Sequence, residues 1–240
     1  MRISILTLFP EMYEGFLTTS IIKKAILQNL VQVDLIDIRS FSTNKHKRVD
    51  DAPFGGGQGL VMAMQPIMDA LKSVDHTHAH VMLTSASGPT LVQSKVRELS
   101  TKEHIVLICG HYEGIDARIH EHIDESYSIG DYILTGGELP SMVLSDAIIR
   151  LLDGVIRESS HQDESYENGL LEYPHYTRPQ HYEDQSVPDV LMSGNHEDIR
   201  KYRLKESLRN TWMHRPDLFK DRVFTQEEKN LLIEIIKELS

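Results

Sequence analysis

Ile105-Val106-Leu107-Ile108-Cys109-Gly110-His111-Tyr112-Glu113-Gly114-Ile115-Asp116 is the stretch that decides the fold class of this 240-residue chain. Its first five residues are apolar without alternation, as in a strand buried on both faces. The run stops at a glycine, and a polar loop with a second glycine follows at once. Such strands belong to parallel sheets covered by helices on both sides. Working outward, Ile3-Ser4-Ile5-Leu6-Thr7-Leu8 and Val81-Met82-Leu83-Thr84 are runs of the same kind, and residues 31–38 alternate apolar and polar. Helical patterns lie between them at about 18–29, 65–73 and 90–100, and another follows Pro140 over 141–152. This alternation predicts an α/β fold built on a parallel sheet.

Residues 154–194 are different. They hold few aliphatics and three prolines, Pro174, Pro179 and Pro188. So long an irregular segment is functional or a linker. Beyond it, Leu204, Leu208 and Trp212 repeat at helical spacing. Thr225-Gln226-Glu227-Glu228 has the form of a capping box, opening a helix through Leu231, Leu232, Ile235, Ile236 and Leu239. The expected organisation is an α/β domain over 1–160, a linker over 161–194 and a small helical domain over 195–240.

Composition narrows the class. Hydrophobic content of 40% and charged content of 25% are those of an ordinary globular protein. The single cysteine, Cys109, forms no internal disulfide and fits a reducing compartment. No apolar stretch approaches the roughly 20 residues of a membrane helix, and the apolar start reads as a strand, not a signal peptide. The net charge of −11 argues against nucleic acid when taken alone. Phosphate binding rests on local cations, however. Two clusters supply them: Lys45-His46-Lys47-Arg48, and Arg200-Lys201-Tyr202-Arg203-Leu204-Lys205 with Arg209.

Common chemical motifs are missing. There is no phosphate loop, no serine-hydrolase elbow and no paired-cysteine or H-E-x-x-H spacing. Gly55-Gly56-Gly57-Gln58-Gly59 fails the dinucleotide pattern because Leu60 holds its last position. His76, His78 and His80 alternate but lack a fourth ligand, so no metal site is read. What remains are loops placed after strands. Thr84-Ser85-Ala86-Ser87-Gly88-Pro89, Gly110 to Asp116, and Ser128-Ile129-Gly130-Asp131-Tyr132-Ile133-Leu134-Thr135-Gly136-Gly137-Glu138-Leu139-Pro140 are the three. Ligands of open α/β sheets bind beyond the carboxyl ends of strands, and glycine there admits close backbone approach.

These loops carry a resemblance. Leu8-Phe9-Pro10-Glu11-Met12, Val49-Asp50-Asp51 with Phe54-Gly55-Gly56-Gly57, the 109–116 and 128–140 stretches, Pro174-His175-Tyr176-Thr177-Arg178-Pro179, Leu191-Met192-Ser193-Gly194-Asn195-His196 and Arg203-Leu204-Lys205-Glu206-Ser207-Leu208 stand in one order. Together the chain resembles the bacterial tRNA (guanine-N1)-methyltransferases of the TrmD family, in the knotted SPOUT class, over nearly its whole length. The resemblance implies S-adenosylmethionine bound in a bent form within a deep trefoil knot. Its contacts would fall on Leu83, Thr84, Ser85, Gly110, Tyr112, Glu113, Ile129, Gly130, Asp131, Tyr132, Ile133, Leu134, Gly136, Gly137 and Pro140. It also implies a cytoplasmic homodimer with sites at the subunit interface. The helical domain would hold tRNA, and the methylated base would be the guanosine just 3′ of the anticodon. Two family prolines are replaced here, by Gln58 and Ala86.

The chemistry asks for particular groups. Guanine N1 is a poor nucleophile until its proton leaves, so a general base must reach it. Charge then develops towards O6, where a cation or N–H donor is needed. In the family the base is an aspartate before a Ser-aromatic pair. Here the stretch reads Gln162-Asp163-Glu164-Ser165-Tyr166. Register points to Glu164, and side-chain identity to Asp163. Arg150 matches the family arginine after the knot and would orient the base. Glu113 and Asp131 would position the methionine ammonium or a Mg²⁺ ion. The Gly-rich segment, Lys45 to Arg48, His175 and Arg178 would face tRNA. The competing reading is a non-catalytic RNA-binding protein of the same fold.

Overall fold

The computed structural model describes residues 1–156 and 164–239. It divides into two compact units, Met1–Arg157 and Glu158–Ser240. In the first, strands β1 (Arg2–Thr7), β2 (Gln32–Asp37), β5 (His80–Thr84), β6 (His104–Ile108) and β7 (Glu125–Tyr127) form one parallel sheet in the order β2-β1-β6-β5-β7. A short antiparallel pair, β3 (Asp50–Asp51) and β4 (Val61–Met62), brackets the Gly-rich segment.

Both faces of the sheet are covered, as the unbroken apolar runs require. Along β6, Ile105 and Leu107 point into one core while Val106 and Ile108 point into the other. β5 does the same with Met82 against Val81 and Leu83. The first core is closed by helices α2 (Ser20–Leu27), α4 (Gln93–Ser100) and α5 (Glu138–Ile149), through Ile22, Val96, Leu99, Leu144 and Ile148. The second is closed by α3 (Met64–Ser73), through Ile67, Ala70 and Leu71. Each fully buried Ile or Leu contributes about 1.5–3 kcal/mol relative to exposure.

The expected elements differ in their ends. The pattern at 18–29 resolves into α1 (Glu14–Thr18) and α2, broken at Thr19, which is extended, and Ser20, whose φ is 51°. The helix expected after Pro140 starts two residues before it, at Glu138. Proline is tolerated there because first-turn N–H groups have no intrahelical partner. β7 escapes pattern reading because Glu125 and Ser126 are polar; pairing of Glu125, Ser126 and Tyr127 with Met82, Leu83 and Thr84 defines it.

The second unit holds a hairpin, β8 (His181–Tyr182) and β9 (Gln185–Ser186), and two helices, α6 (His196–His214) and α7 (Gln226–Leu239). Asn195 caps α6 by accepting from Glu197 N at 3.2 Å. The predicted capping box of α7 is present. Thr225 Oγ1 accepts from Glu228 N at 3.2 Å, and Glu228 Oε2 accepts from Thr225 N at 2.7 Å. Leu208, Leu231 and Ile235 form the buried core with Leu170. The α6 stripe runs through Leu204 and Leu208 to Thr211, which is fully buried; Trp212 remains 44% exposed, against Phe219.

Candidate active site

Three loops meet at the carboxyl ends of β5, β6 and β7. Gly137 N donates to Gly110 O at 2.7 Å, and Gly110 N donates to Thr84 Oγ1 at 3.1 Å. Ser85 N reaches Tyr127 O at 2.9 Å, and Leu91 N reaches Ser128 O at 2.8 Å. Gly137 is fixed by this packing. A Cβ there would stand 2.1 Å from Thr84 Oγ1 and 2.8 Å from both Cys109 Cα and Gly110 N. No other residue permits that approach without displacing backbone.

The loops enclose a cavity of ≈ 660 Å³. Of the residues expected to hold a ligand, Leu83, Thr84, Ser85, Gly110, Tyr112, Glu113, Ile129, Gly130, Tyr132, Ile133, Leu134, Gly136, Gly137 and Pro140 line it. Asp131 does not; it is exposed outside the lining. Ala86, at the position of a family proline, is also in the wall, as are His111, His120 and Tyr127, which pattern reading left unassigned. His111 sits inside the quoted 109–116 motif; Tyr127 belongs to the unpredicted strand.

The Gly-rich segment is tied to the same wall. Met62 N donates to Gly114 O at 2.9 Å, Asp116 N to Met62 O at 3.0 Å, and Glu113 N to Leu60 O at 3.1 Å. At the tip between β3 and β4, Phe54 is fully exposed. Asp116 is held by Arg118, whose side-chain and backbone hydrogen bonds bring the carboxyl down to about 2. It braces the loop and does not face the cavity lining.

Beneath the cavity Cys109, Tyr13 and Tyr127 are neutral. Burial, with the nearby Glu138 carboxylate, pushes the Cys109 thiol up to about 12, so it is protonated at neutral pH and no nucleophile. Burial likewise raises the Tyr13 and Tyr127 phenols above their ordinary range. Tyr13 Oη lies 2.6 Å from Ser141 Oγ and ties the turn after β1 to α5. Glu138, at the first position of α5, accepts from Thr7 Oγ1 at 2.8 Å.

The remaining expected residues lie elsewhere. Arg150 caps the carboxyl end of α5 in the first unit and is half-buried. Asp163 lies outside the described residues. Glu164 belongs to the second unit, where with Leu170, Tyr173, Ile199, Arg200 and Arg203 it lines a cavity of ≈ 530 Å³. Of the basic clusters, Lys45, Lys47 and Arg48 are exposed and form no ion pair among the described residues. The α6 cluster is largely engaged within its own unit. Arg200 pairs with Glu197 and Glu227, Lys205 with Glu234 and Glu238, and Arg209 with Glu206 and Glu238. Lys201 and Arg203 are exposed and unpaired with any carboxylate among the described residues, and Arg203 lies 4.9 Å over the Tyr173 ring. His175 pairs with Glu172 at 2.7 Å.

A parallel α/β sheet whose strand ends carry a cavity walled by backbone and glycine defines a class of ligand-binding α/β proteins. The sequence matches the family described as tRNA (Guanine-1)-methyltransferase TrmD over residues 1–221. It is 51% identical over 239 residues to the tRNA (guanine-N(1)-)-methyltransferase of Fusobacterium nucleatum subsp. nucleatum, covering 99% of each chain. It is 49% identical over 241 residues to that of Clostridium botulinum, covering 100% of each. It is 46% identical over 243 residues to that of Bacillus subtilis, covering 99% of this chain and 100% of the relative. The chain belongs to the tRNA (guanine-1)-methyltransferase TrmD family.

Proposed function

We propose that this chain transfers the methyl group of S-adenosylmethionine to N1 of the guanosine immediately 3′ of the anticodon in tRNA. The observation that carries the reading is the cavity at the strand ends in a chain of this family. Its volume, ≈ 660 Å³, suits a nucleoside-sized ligand. Its walls are mostly backbone, small side chains and the apolar Leu83, Ile129, Ile133 and Leu134, which suits an uncharged adenosine moiety. Bound there, the sulfonium supplies an already electrophilic methyl group.

The chain's own residues do the rest. Glu164, or Asp163, removes the N1 proton; burial against RNA would raise the carboxyl and improve its match to this task. Arg150 donates towards O6 as charge develops there. Glu113 receives the methionine ammonium. Glu113 and Asp131 would also be the residues to hold Mg²⁺. The described residues present no cluster of three ligating side chains, and no step is assigned to the ion. The family resemblance gives the site the form of a deep trefoil knot, and the 84–91, 110–116 and 128–137 segments that would build it are stitched together.

The reading includes a homodimer, as the family resemblance implies. An apolar exposed face supports it. Leu139 and Val143, one turn apart on α5, are 49% and 48% exposed, and Ile133 on the cavity wall is 84% exposed. In this arrangement residues 161–194 carry the base to the partner's cavity, and the 195–240 helices hold tRNA through Lys201 and Arg203. A tRNA substrate places the protein in the cytoplasm. The test is transfer of a labelled methyl from S-adenosylmethionine to tRNA with guanosine after the anticodon, and none to tRNA with adenosine there. Equal labelling of both would defeat the guanine chemistry. Binding of tRNA without transfer would leave a bare RNA binder.

A further inference from the structure

One large side chain of the first unit gives its ring wholly to water. Phe54 is 103% exposed and makes no ring contact among the described residues. It stands at the tip between β3 and β4, beside Pro53 and the run Gly55-Gly56-Gly57. The three glycines have φ of 86°, 79° and 141°, a conformation that side chains resist. A Cβ on Gly55 or Gly56 would meet nothing within 4 Å. The ring therefore rises from a bare, open turn.

The turn is anchored at its root. β3 and β4 pair through Asp50 with Met62 and Asp51 with Val61. Leu60 and Met62 are hydrogen-bonded to Glu113, Gly114 and Asp116. Gly59 packs so closely on Glu113 that a Cβ there would stand 2.3 Å from Glu113 Cγ. Glu113 and Gly114 line the strand-end cavity, so the hairpin is rooted in the rim of that cavity. Immediately before β3 come Lys45, Lys47 and Arg48, exposed and without a carboxylate partner among the described residues. Val49 joins this run to the hairpin: it is buried, and its O accepts from Ala63 N at 2.7 Å just after β4.

An exposed ring by itself selects no partner. Its surroundings do. A protein partner needs a broad apolar patch, and around Phe54 the turn offers only Pro53 and glycine. Cations that neutralise phosphates, next to an aromatic ring that stacks on bases, are the means by which unpaired RNA is held. Guanine N1 lies on the pairing edge of its base. The target must therefore leave its stack to meet a methyl group in the cavity, and each neighbouring base loses the cover of one face. We propose that the Phe54 ring stacks on an unpaired nucleobase flanking the methylated guanosine, in place of the base that has turned into the cavity. The proposal rests on the reading of the chain as a tRNA guanine methyltransferase. It makes Phe54 a positioning residue, which touches no reacting atom.

Fluorescence anisotropy of labelled tRNA titrated with the full chain, S-adenosylhomocysteine being present, tests it. Phe54→Ala and Phe54→Leu should each bind tRNA about tenfold or more weakly than the wild type, and Phe54→Trp within about threefold, because only an aromatic face stacks. Melting temperature and affinity for S-adenosylhomocysteine should not change, since the ring packs against nothing in the fold. Stripping the base from one of the two nucleotides flanking the target should weaken wild-type binding by a similar factor and add nothing to the loss in Phe54→Ala. Wild-type affinity in Phe54→Ala would overturn the proposal, as would equal binding by Phe54→Leu and Phe54→Trp, or additive losses for both stripped tRNAs. A shift from dimer to monomer in sedimentation of Phe54→Ala would assign the ring to a subunit contact and overturn it as well. Methyl transfer is read separately. A wild type that binds tRNA but transfers no methyl group would sink the enzyme reading, and the same affinities would still decide the stack. A wild type that binds no tRNA would end both.

Discussion

Glu164 and Arg150 carry the chemical half of the account, and each makes a separable prediction. Glu164→Gln removes the base without changing shape, and turnover should fall about 10²–10⁴-fold, the usual worth of a positioned base. Asp163→Asn should then leave turnover within a few fold; the opposite pattern would move the base to Asp163. Arg150→Ala should lower kcat sharply with S-adenosylmethionine affinity unchanged, measured by single-turnover kinetics and titration. Loss of affinity instead would place Arg150 at the cofactor. At this scale the sequence was informative where a residue's type constrains backbone. Gly110, Gly136 and Gly137 stand after buried strands, and the structure puts all three on the cavity. It was silent where environment decides. Glu138 reads as one acid of the 128–140 loop, yet it is buried beside Thr7. His111 was visible as part of a motif, but its fixed tautomer depends on the Tyr112 amide.

Among the elements, α7 shows local sequence logic at its clearest. Thr225 and Glu228 exchange the two capping hydrogen bonds that their spacing predicts. Thr225→Ala should cost about 1 kcal/mol of stability in the second unit, read from chemical denaturation followed by circular dichroism. A shift below about a quarter of that value would mean that solvent replaces the cap. Burial tends to raise the Glu228 carboxyl, but hydrogen bonds from Arg222 and Thr225 overcome it and hold the group below the usual range. β1, β5 and β6 were readable because each sends apolar residues to both faces. β7 was not, since only pairing with β5 makes Glu125 and Ser126 part of a strand. Trp212 was expected inside and Thr211 was not. The helix turns Thr211 inward, where its Oγ1 accepts from Leu171 N at 2.8 Å.

For the whole molecule, charge and association give the remaining expectations. Asp116 is lowered to about 2 by Arg118, and Glu238 to about 2 by Arg209 and Lys205. Carboxylates with folded values below their unfolded ones contribute stability that is fully present above about pH 4 and is lost as pH falls towards 2. Acid unfolding should therefore fall in that window, and Asp116→Asn should flatten the profile there; an unchanged profile would show that Arg118 does nothing for the fold. Replacing the exposed pair on α5, as Leu139→Glu with Val143→Glu, should shift the protein from dimer to monomer in sedimentation and abolish methyl transfer. A monomeric but fully active variant would contradict a site shared between subunits. The net charge of −11 pointed away from RNA. Within the two basic clusters, acids of α7 pair with Arg200, Lys205 and Arg209, while Lys201, Arg203 and residues 45–48 stay exposed with no ion pair among the described residues. The proposed knot rests on family resemblance alone, because strand periodicity carries no information on how loops thread. The central claim is that the backbone-walled cavity delivers a methyl group to a guanine ring nitrogen. Mass mapping of the modified nucleosides in tRNA incubated with this protein and S-adenosylmethionine tests it most directly. The account predicts 1-methylguanosine at the single position following the anticodon; methylation of another atom, base or position, or none, would contradict it.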